Sequence, residues 1–134
     1  MADQAAFIAR YHEVVDDLDR NGRSDNETMW LLGSLVARLV TGSDADNWIH
    51  FKQILDDKSL TELVDTLDRN AATYQAEGKT KAAYVARLLG ISLVAGRVPD
   101  PELRKRDTLL DGFISTAAVV YIQQHTAKQP PPAG

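Results

Sequence analysis

The stretch Phe113-Ile114-Ser115-Thr116-Ala117-Ala118-Val119-Val120-Tyr121-Ile122 decides the fold class, because its β-branched content can be read as a strand or as a helix. A lone strand in an otherwise helical chain would leave its backbone amides and carbonyls without partners, so the stretch is assigned to a helix. Upstream, Asp100-Pro101 supplies a capping side chain followed by proline at the first helical position, where the missing amide proton costs nothing. A long sixth helix therefore starts there and runs through the β-branched segment.

Working back from it, Ala82 to Ala95 is apolar apart from Arg87, Gly90 and Ser92, with Thr80 placed as a cap and Gly96 and Pro99 as a stop. Before it, Leu60, Leu63, Val64, Leu67, Ala71 and Tyr74 form one helical face, opened by the capping box Ser59/Glu62 and interrupted at Gly78. Trp48, Ile49, Phe51, Ile54 and Leu55 give a short third helix a broad apolar side, with Ser43 or Asp44 as its cap. The second helix is opened by the capping box Ser24/Glu27. It is apolar from Met29 to Val40 except at Gly33, Ser34 and Arg38, which predicts a central, mostly buried element ending at Gly42. Phe7, Ile8, Tyr11, Val14, Val15 and Leu18 complete the series as an amphipathic first helix over residues 3–21.

The expected architecture is all-α, about six helices in a compact bundle. Residues 1–126 are read as one domain and residues 127–134 as a mobile polyproline-like tail. A chain of 134 residues with 44% hydrophobic and 25% charged residues has ordinary globular usage and can bury its own core. The absence of cysteine excludes a disulfide framework, a thiolate metal site and a cysteine nucleophile. The first residues carry no basic segment leading into an apolar run, and no apolar stretch has the length of a membrane span. A cytoplasmic protein without membrane association is expected. A net charge of −4 opposes binding to nucleic-acid phosphates unless the 15 basic residues gather on one face.

Glu13-Val14-Val15-Asp16-Asp17-Leu18-Asp19-Arg20-Asn21 recurs as Glu62-Leu63-Val64-Asp65-Thr66-Leu67-Asp68-Arg69-Asn70, identical at seven of nine positions with an offset of 49. Val36-Ala37-Arg38-Leu39 recurs at the same offset as Val85-Ala86-Arg87-Leu88, which is the signature of a duplicated unit. Two related helical hairpins are inferred, although the glycine breaks at Gly22 and Gly78 are not equivalent. Within the repeat, Asp16 with Arg20 and Asp65 with Arg69 are i, i+4 ion pairs in the favourable order. Arg38 and Arg87 are lone charges in apolar stretches, for which Glu13 and Glu62 are the natural partners. These pairs are read as structural.

Asp17-Leu18-Asp19-Arg20-Asn21-Gly22 begins like a calcium-binding loop, but the closing carboxylate position holds Thr28 and the other copy lacks the first ligand and the glycine. Residues 80–92 resemble the first helix and turn of a DNA-binding helix-turn-helix. Gly96 then falls where the recognition helix needs an apolar residue, and Pro99 truncates it. His12, His50 and His125 lie on different helices and define no metal site, although His12 with Asp16 and Asp46 with His50 are i, i+4 pairs. Arg104-Lys105-Arg106 reads as a solvated basic face. No phosphate loop, serine-nucleophile elbow or helical zinc motif is present.

The preferred function is a non-catalytic helical module that binds a protein partner, or a second copy of itself, with no cofactor and no metal. A DNA-binding regulator using a degenerate helix-turn-helix at residues 80–98 is the alternative, and a small-molecule-binding protein or enzyme the third reading. Trp48 and Phe51 are the candidate partner-binding residues, since a short helix has difficulty burying both edges, although core packing is the commoner role for such a pair.

Overall fold

The computed structural model describes residues 2–22, 25–40 and 47–128. Among them are six α-helices and no strand: α1 (Ala2–Asp17), α2 (Asn26–Leu39), α3 (Asn47–Ile54), α4 (Asp57–Ala76), α5 (Thr80–Ala95) and α6 (Pro101–Lys128). A π-helical turn, Leu18–Gly22, continues α1. The β-branched run lies wholly inside α6, in agreement with the helical assignment. None of the described helices is long and apolar enough to cross a membrane.

The caps explain where helices begin, and two begin elsewhere than the capping boxes suggest. Asp25 caps α2, its carboxylate accepting from the Thr28 amide at 3.1 Å. Asp56 caps α4, accepting from the Ser59 amide at 2.7 Å. In both cases a carboxylate satisfies an orphan amide of the first turn, and Ser59 sits inside its helix rather than at its cap. The Ser59 amide holds the Asp56 carboxyl below the ordinary carboxylate range. Ser24, Ser43 and Asp44, the other expected caps, fall outside the described residues. Thr80 is the first residue of α5 rather than its cap, and no side chain caps that helix. The Asp100-Pro101 reading holds: the Leu103 amide donates to the Asp100 carboxylate at 3.0 Å. At the end of α4, Gly78 takes φ +78°, and the amides of Gly78 and Lys79 return to the Gln75 and Tyr74 carbonyls. This left-handed cap needs a residue without Cβ.

The centre of the bundle is α5, not α2. Ala83, Val85, Ala86, Leu88, Leu89, Ile91, Leu93 and Ala95 are all buried on α5, which touches α1, α2, α4 and α6. In α2 only Thr28, Leu32, Gly33 and Val36 are buried. The two apolar runs look alike in sequence. They differ in neighbours, because α2 packs mainly along α6 and less on α5, and most of its other residues are half-buried. The α2–α6 crossing is close at Gly33, where a Cβ would land on the Ala117 carbonyl oxygen and 2.7 Å from Tyr121 Cβ.

Leu18 and Leu67 of the repeated segments are both buried, 0% and 1% exposed. The hairpin pairing is not reproduced twice: α4 packs along α5, whereas α1 packs on α5 rather than along α2. The expected polar partnerships of the repeat also differ. Arg20 pairs with Asp17 at 3.2 Å and not with Asp16, and Arg69 reaches the Thr66 hydroxyl at 3.4 Å instead of Asp65. Arg38, Glu13 and Glu62 are exposed and Arg87 is half-buried, and among the described residues no ion pair joins them. The exposed Arg38 guanidinium needs no carboxylate, which removes the reason for its expected pairing.

Candidate functional site

Beneath α3 the fold gathers five polar side chains that the sequence distributes over four helices. Lys52, on the inner side of α3, is 5% exposed, and its ammonium donates to Asp107 Oδ2 at 2.6 Å, Asp111 Oδ1 at 2.8 Å and Ser92 Oγ at 3.2 Å. Asp107 Oδ1 also accepts from the Tyr11 hydroxyl at 2.9 Å and from Ser92 Oγ at 3.2 Å. Asp111 Oδ1 accepts from Trp48 Nε1 at 3.0 Å, and the ammonium lies 5.9 Å from the centroid of the Trp48 ring. The network therefore joins α1, α3, α5 and α6.

Local sequence positions each group. Trp48 and Lys52 are i, i+4 on α3, and Asp107 and Asp111 are i, i+4 on α6, so each pair projects from one side of its helix. Leu103, Leu110 and Ile114 surround the two carboxylates on the buried face of α6. Arg97 secures the far end of α3, donating to the Lys52 carbonyl at 2.9 Å and to the Leu55 carbonyl. A cation at those carbonyls also opposes the negative end of the helix dipole.

Burial has electrostatic consequences. It pushes the Tyr11 phenol well above its ordinary value of 10.0, and the adjacent Asp107 charge adds to the effect. Burial likewise pushes the Asp111 carboxyl above its ordinary 3.8, against the opposing pull of the Lys52 ammonium. Two carboxylates face one ammonium, Asp107 at 2.6 Å and Asp111 at 2.8 Å.

This arrangement is a fastener more than a reaction centre. An ammonium has three protons, and those of Lys52 meet three acceptors, which leaves none to offer a ligand. Ser92 and Lys52 are close enough to suggest a nucleophile and its base. However, Ser92 is fully buried, its hydroxyl is turned to Asp107, and the lysine is held between carboxylates. Beside the network lies an open cleft of about 490 Å³, whose walls include Ile49, Gln53, Arg97, Arg104 and Asp111.

The expected partner residues occupy this same helix but with different exposure. Trp48 is 0% exposed and bonded to Asp111, so the exposed contact expected of it is not formed. Phe51 is half-buried, with its ring centroid 6.3 Å from that of Trp48. Among the described residues, α3 leaves His50 and Gln53 to solvent together with two large apolar side chains, Ile49, 39% exposed, and Ile54, 63% exposed.

The helix-turn-helix expectation is corrected. Residues 80–95 form one uninterrupted helix, with Gly90 buried inside it and 4.0 Å separating its Cβ position from Leu67. Asp16 and Asp19 near the calcium-like segment face Arg106, at 2.5 and 3.1 Å, and Arg106 also lies 2.9 Å from His12 Nδ1. Arg106 thereby leaves the basic run Arg104-Lys105-Arg106 and ties α6 to α1, whereas Arg104 faces the cleft. Among the described residues, no group of three histidine or acidic side chains is placed to hold a metal ion. Asp46 and the side chain of His125 fall outside the described residues.

Sequence reasoning passed over Lys52, Asp107, Asp111, Tyr11 and Ser92. A usable signal existed: Lys52 interrupts the apolar side of α3, and Asp107 and Asp111 interrupt the stripe Leu103, Leu110, Ile114 of α6. Charged residues on an apolar face need partners, and opposite signs on two helices are natural candidates. Comparison of the chain with protein-family models, with curated proteins and with solved structures finds no match.

Proposed function

We propose that this chain is a non-catalytic binding module that presents the outer side of α3 to a protein partner. The observation that carries the reading is the two-sided character of α3: Trp48 and Lys52 are held inside by Asp107 and Asp111, while Ile49 and Ile54 stand 39% and 63% exposed. A short helix anchored this firmly has little entropy left to lose on binding, and preorganisation of that kind favours recognition. Apolar side chains of a partner would meet Ile49 and Ile54, and an acidic group would meet Arg104 at the rim of the cleft. A second copy of the chain is one such partner. The saturated hydrogen bonding of Lys52 supports a binding role over a catalytic one.

The test is affinity capture from native extract with the wild-type chain and with Ile49→Ser/Ile54→Ser, together with sedimentation of each protein alone. Both side chains lie at the surface, so melting temperature should change little. Loss of a specifically captured protein, or of self-association, supports the assignment. Unchanged capture and unchanged sedimentation would remove it.

A further inference from the structure

The cleft beside the buried network has a charge pattern of its own. Its volume of about 490 Å³ lies in the range of small-ligand sites, roughly 300–1,000 Å³. Ile49 and Gln53 line it from α3, Arg97 from the segment after α5, and Arg104 and Asp111 from α6. Three segments therefore converge on one opening.

The polarity of the helices places the two arginines together. Trp48 meets Asp111 and Lys52 meets Asp107, so α3 runs against the direction of α6, and its C-terminal end, which Arg97 holds, lies toward Arg104. This end of the cleft is positive. Arg97 donates to the Lys52 and Leu55 carbonyls, which bring no negative charge to it. Arg104 is exposed, and among the described residues its guanidinium has no hydrogen bond or ion pair, only its carbonyl accepting from the Thr108 hydroxyl. Its planar fork is left free for a carboxylate.

The other end is negative. Asp107 and Asp111 face the single Lys52 ammonium, so one carboxylate is in excess. Both oxygens of Asp107 are occupied, by Tyr11, Ser92 and Lys52. Asp111 instead binds Trp48 and Lys52 through Oδ1, and among the described residues its Oδ2 accepts nothing. Ser115 Oγ is the one buried side-chain polar atom without a partner among those residues, so Asp111 Oδ2 is open to the cleft. A carboxylate that is mostly buried, 16% exposed here, is favoured by a cation placed at its free oxygen. Arg104 and Asp111 stand seven positions apart on α6, two turns, on one side of the helix and about 10 Å apart along its axis.

We infer that the cleft is a binding site for a small zwitterion, an amino carboxylate whose carboxylate lies against Arg104 and Arg97, whose ammonium donates to Asp111 Oδ2, and whose apolar body covers Ile49. The ligand fills the cleft rather than the outer side of α3. No protein partner enters its test, so failure here and failure of the partner surface are separate results.

The test is a chemical-shift titration of the full chain with ε-aminocaproate, whose flexible spacer can adjust to the two charged ends of the cleft. Caproate and hexylamine, each with one of its charged groups, are the controls. Low ionic strength is used, because charges in an open cleft are readily screened. ε-Aminocaproate should bind about tenfold more tightly than either control, the second charged hydrogen bond supplying the difference, and should shift amides within residues 49–53, 95–97 and 104–111. Asp111→Asn should reduce its affinity to that of caproate. Arg104→Gln should reduce it to that of hexylamine, and this variant changes an exposed side chain without a partner, so it reports on binding even where Asp111→Asn disturbs α3. A control binding as tightly as ε-aminocaproate, no saturable binding, or unchanged affinity in Arg104→Gln would overturn the proposal.

Discussion

The Lys52 ammonium lies 2.6 Å from the Asp107 carboxylate, and both side chains are only 6% exposed. A buried pair of this kind has a net value set by how completely its remaining hydrogen bonds are satisfied, and here Tyr11, Ser92 and Asp111 complete them. The pair also spans 55 residues of sequence, so it fixes α3 on α6.

Removal of one partner should therefore be expensive. Lys52→Met keeps most of the volume but leaves two carboxylates facing each other without the cation. The expected loss is about 3–5 kcal/mol in denaturant unfolding, the range for breaking a buried ion pair on one side. A loss below about 1 kcal/mol, the level of an exposed pair, would show that the network carries little.

The surplus carboxylate predicts the opposite response. Since burial raises the Asp111 pKa above 3.8, its contribution to stability is fully present below that value and is lost as pH rises through the folded-state pKa. Asp111→Asn keeps an oxygen acceptor for Trp48 and Lys52 without the charge. At pH 7 the variant should be as stable as the wild type or more so, with the difference shrinking toward pH 3. A variant less stable than the wild type at pH 7 would show that the attraction of Lys52 outweighs burial.

Tyr11 gives the alkaline limb. Its phenol stays protonated in the fold beyond the ordinary value of 10.0, whereas the unfolded chain releases that proton. Stability contributed by Tyr11 is thus present below pH 10 and is lost as pH rises above it. Tyr11→Phe should cost roughly 1.5–3 kcal/mol at pH 7, as for hydrogen bonds to a charged group, and should lose less on going to pH 11 than the wild type does. Parallel decline of the two proteins above pH 10 would contradict the assignment.

Two glycines should respond in opposite directions. Gly33→Ala pushes a methyl onto the Ala117 carbonyl and Tyr121 Cβ, both poorly able to give way, so α2 and α6 must separate. A loss of about 1–3 kcal/mol is expected, the usual cost of overpacking. Gly112→Ala meets nothing within 4 Å on the exposed side of α6 and should stabilise by about 0.5–1 kcal/mol through helix propensity. Equal responses in thermal melts would show that the α2–α6 crossing is not close.

Apolar spacing was enough to read the helices, since the face Leu60, Leu63, Val64, Leu67, Ala71, Tyr74 of α4 is the one that packs inward. It was not enough to rank them by burial. α2 and α5 have similar runs, and only tertiary contacts make α5 the centre. Capping was legible by residue type but displaced in position, because the Asp56 carboxylate takes the amide of Ser59 itself and starts α4 before the expected serine cap, while Asp25 takes the Thr28 amide. The polar network was hidden for a different reason: its hydrogen-bonded pairs are 40 or more residues apart except Ser92 with Asp107. No local pattern joins Tyr11 or Lys52 to Asp107, although their position on apolar faces marks each as needing a partner.

Amide hydrogen exchange compared between the wild type and Lys52→Met tests most directly whether the buried network holds α3 in place as a presented surface. If it does, the amides of α3 should exchange at least about tenfold faster in the variant, relative to those of α5, because each 1.4 kcal/mol of lost local stability is a factor of ten in opening. Exchange of α3 unchanged relative to α5 would contradict the account, since α3 would then be held by its apolar packing alone.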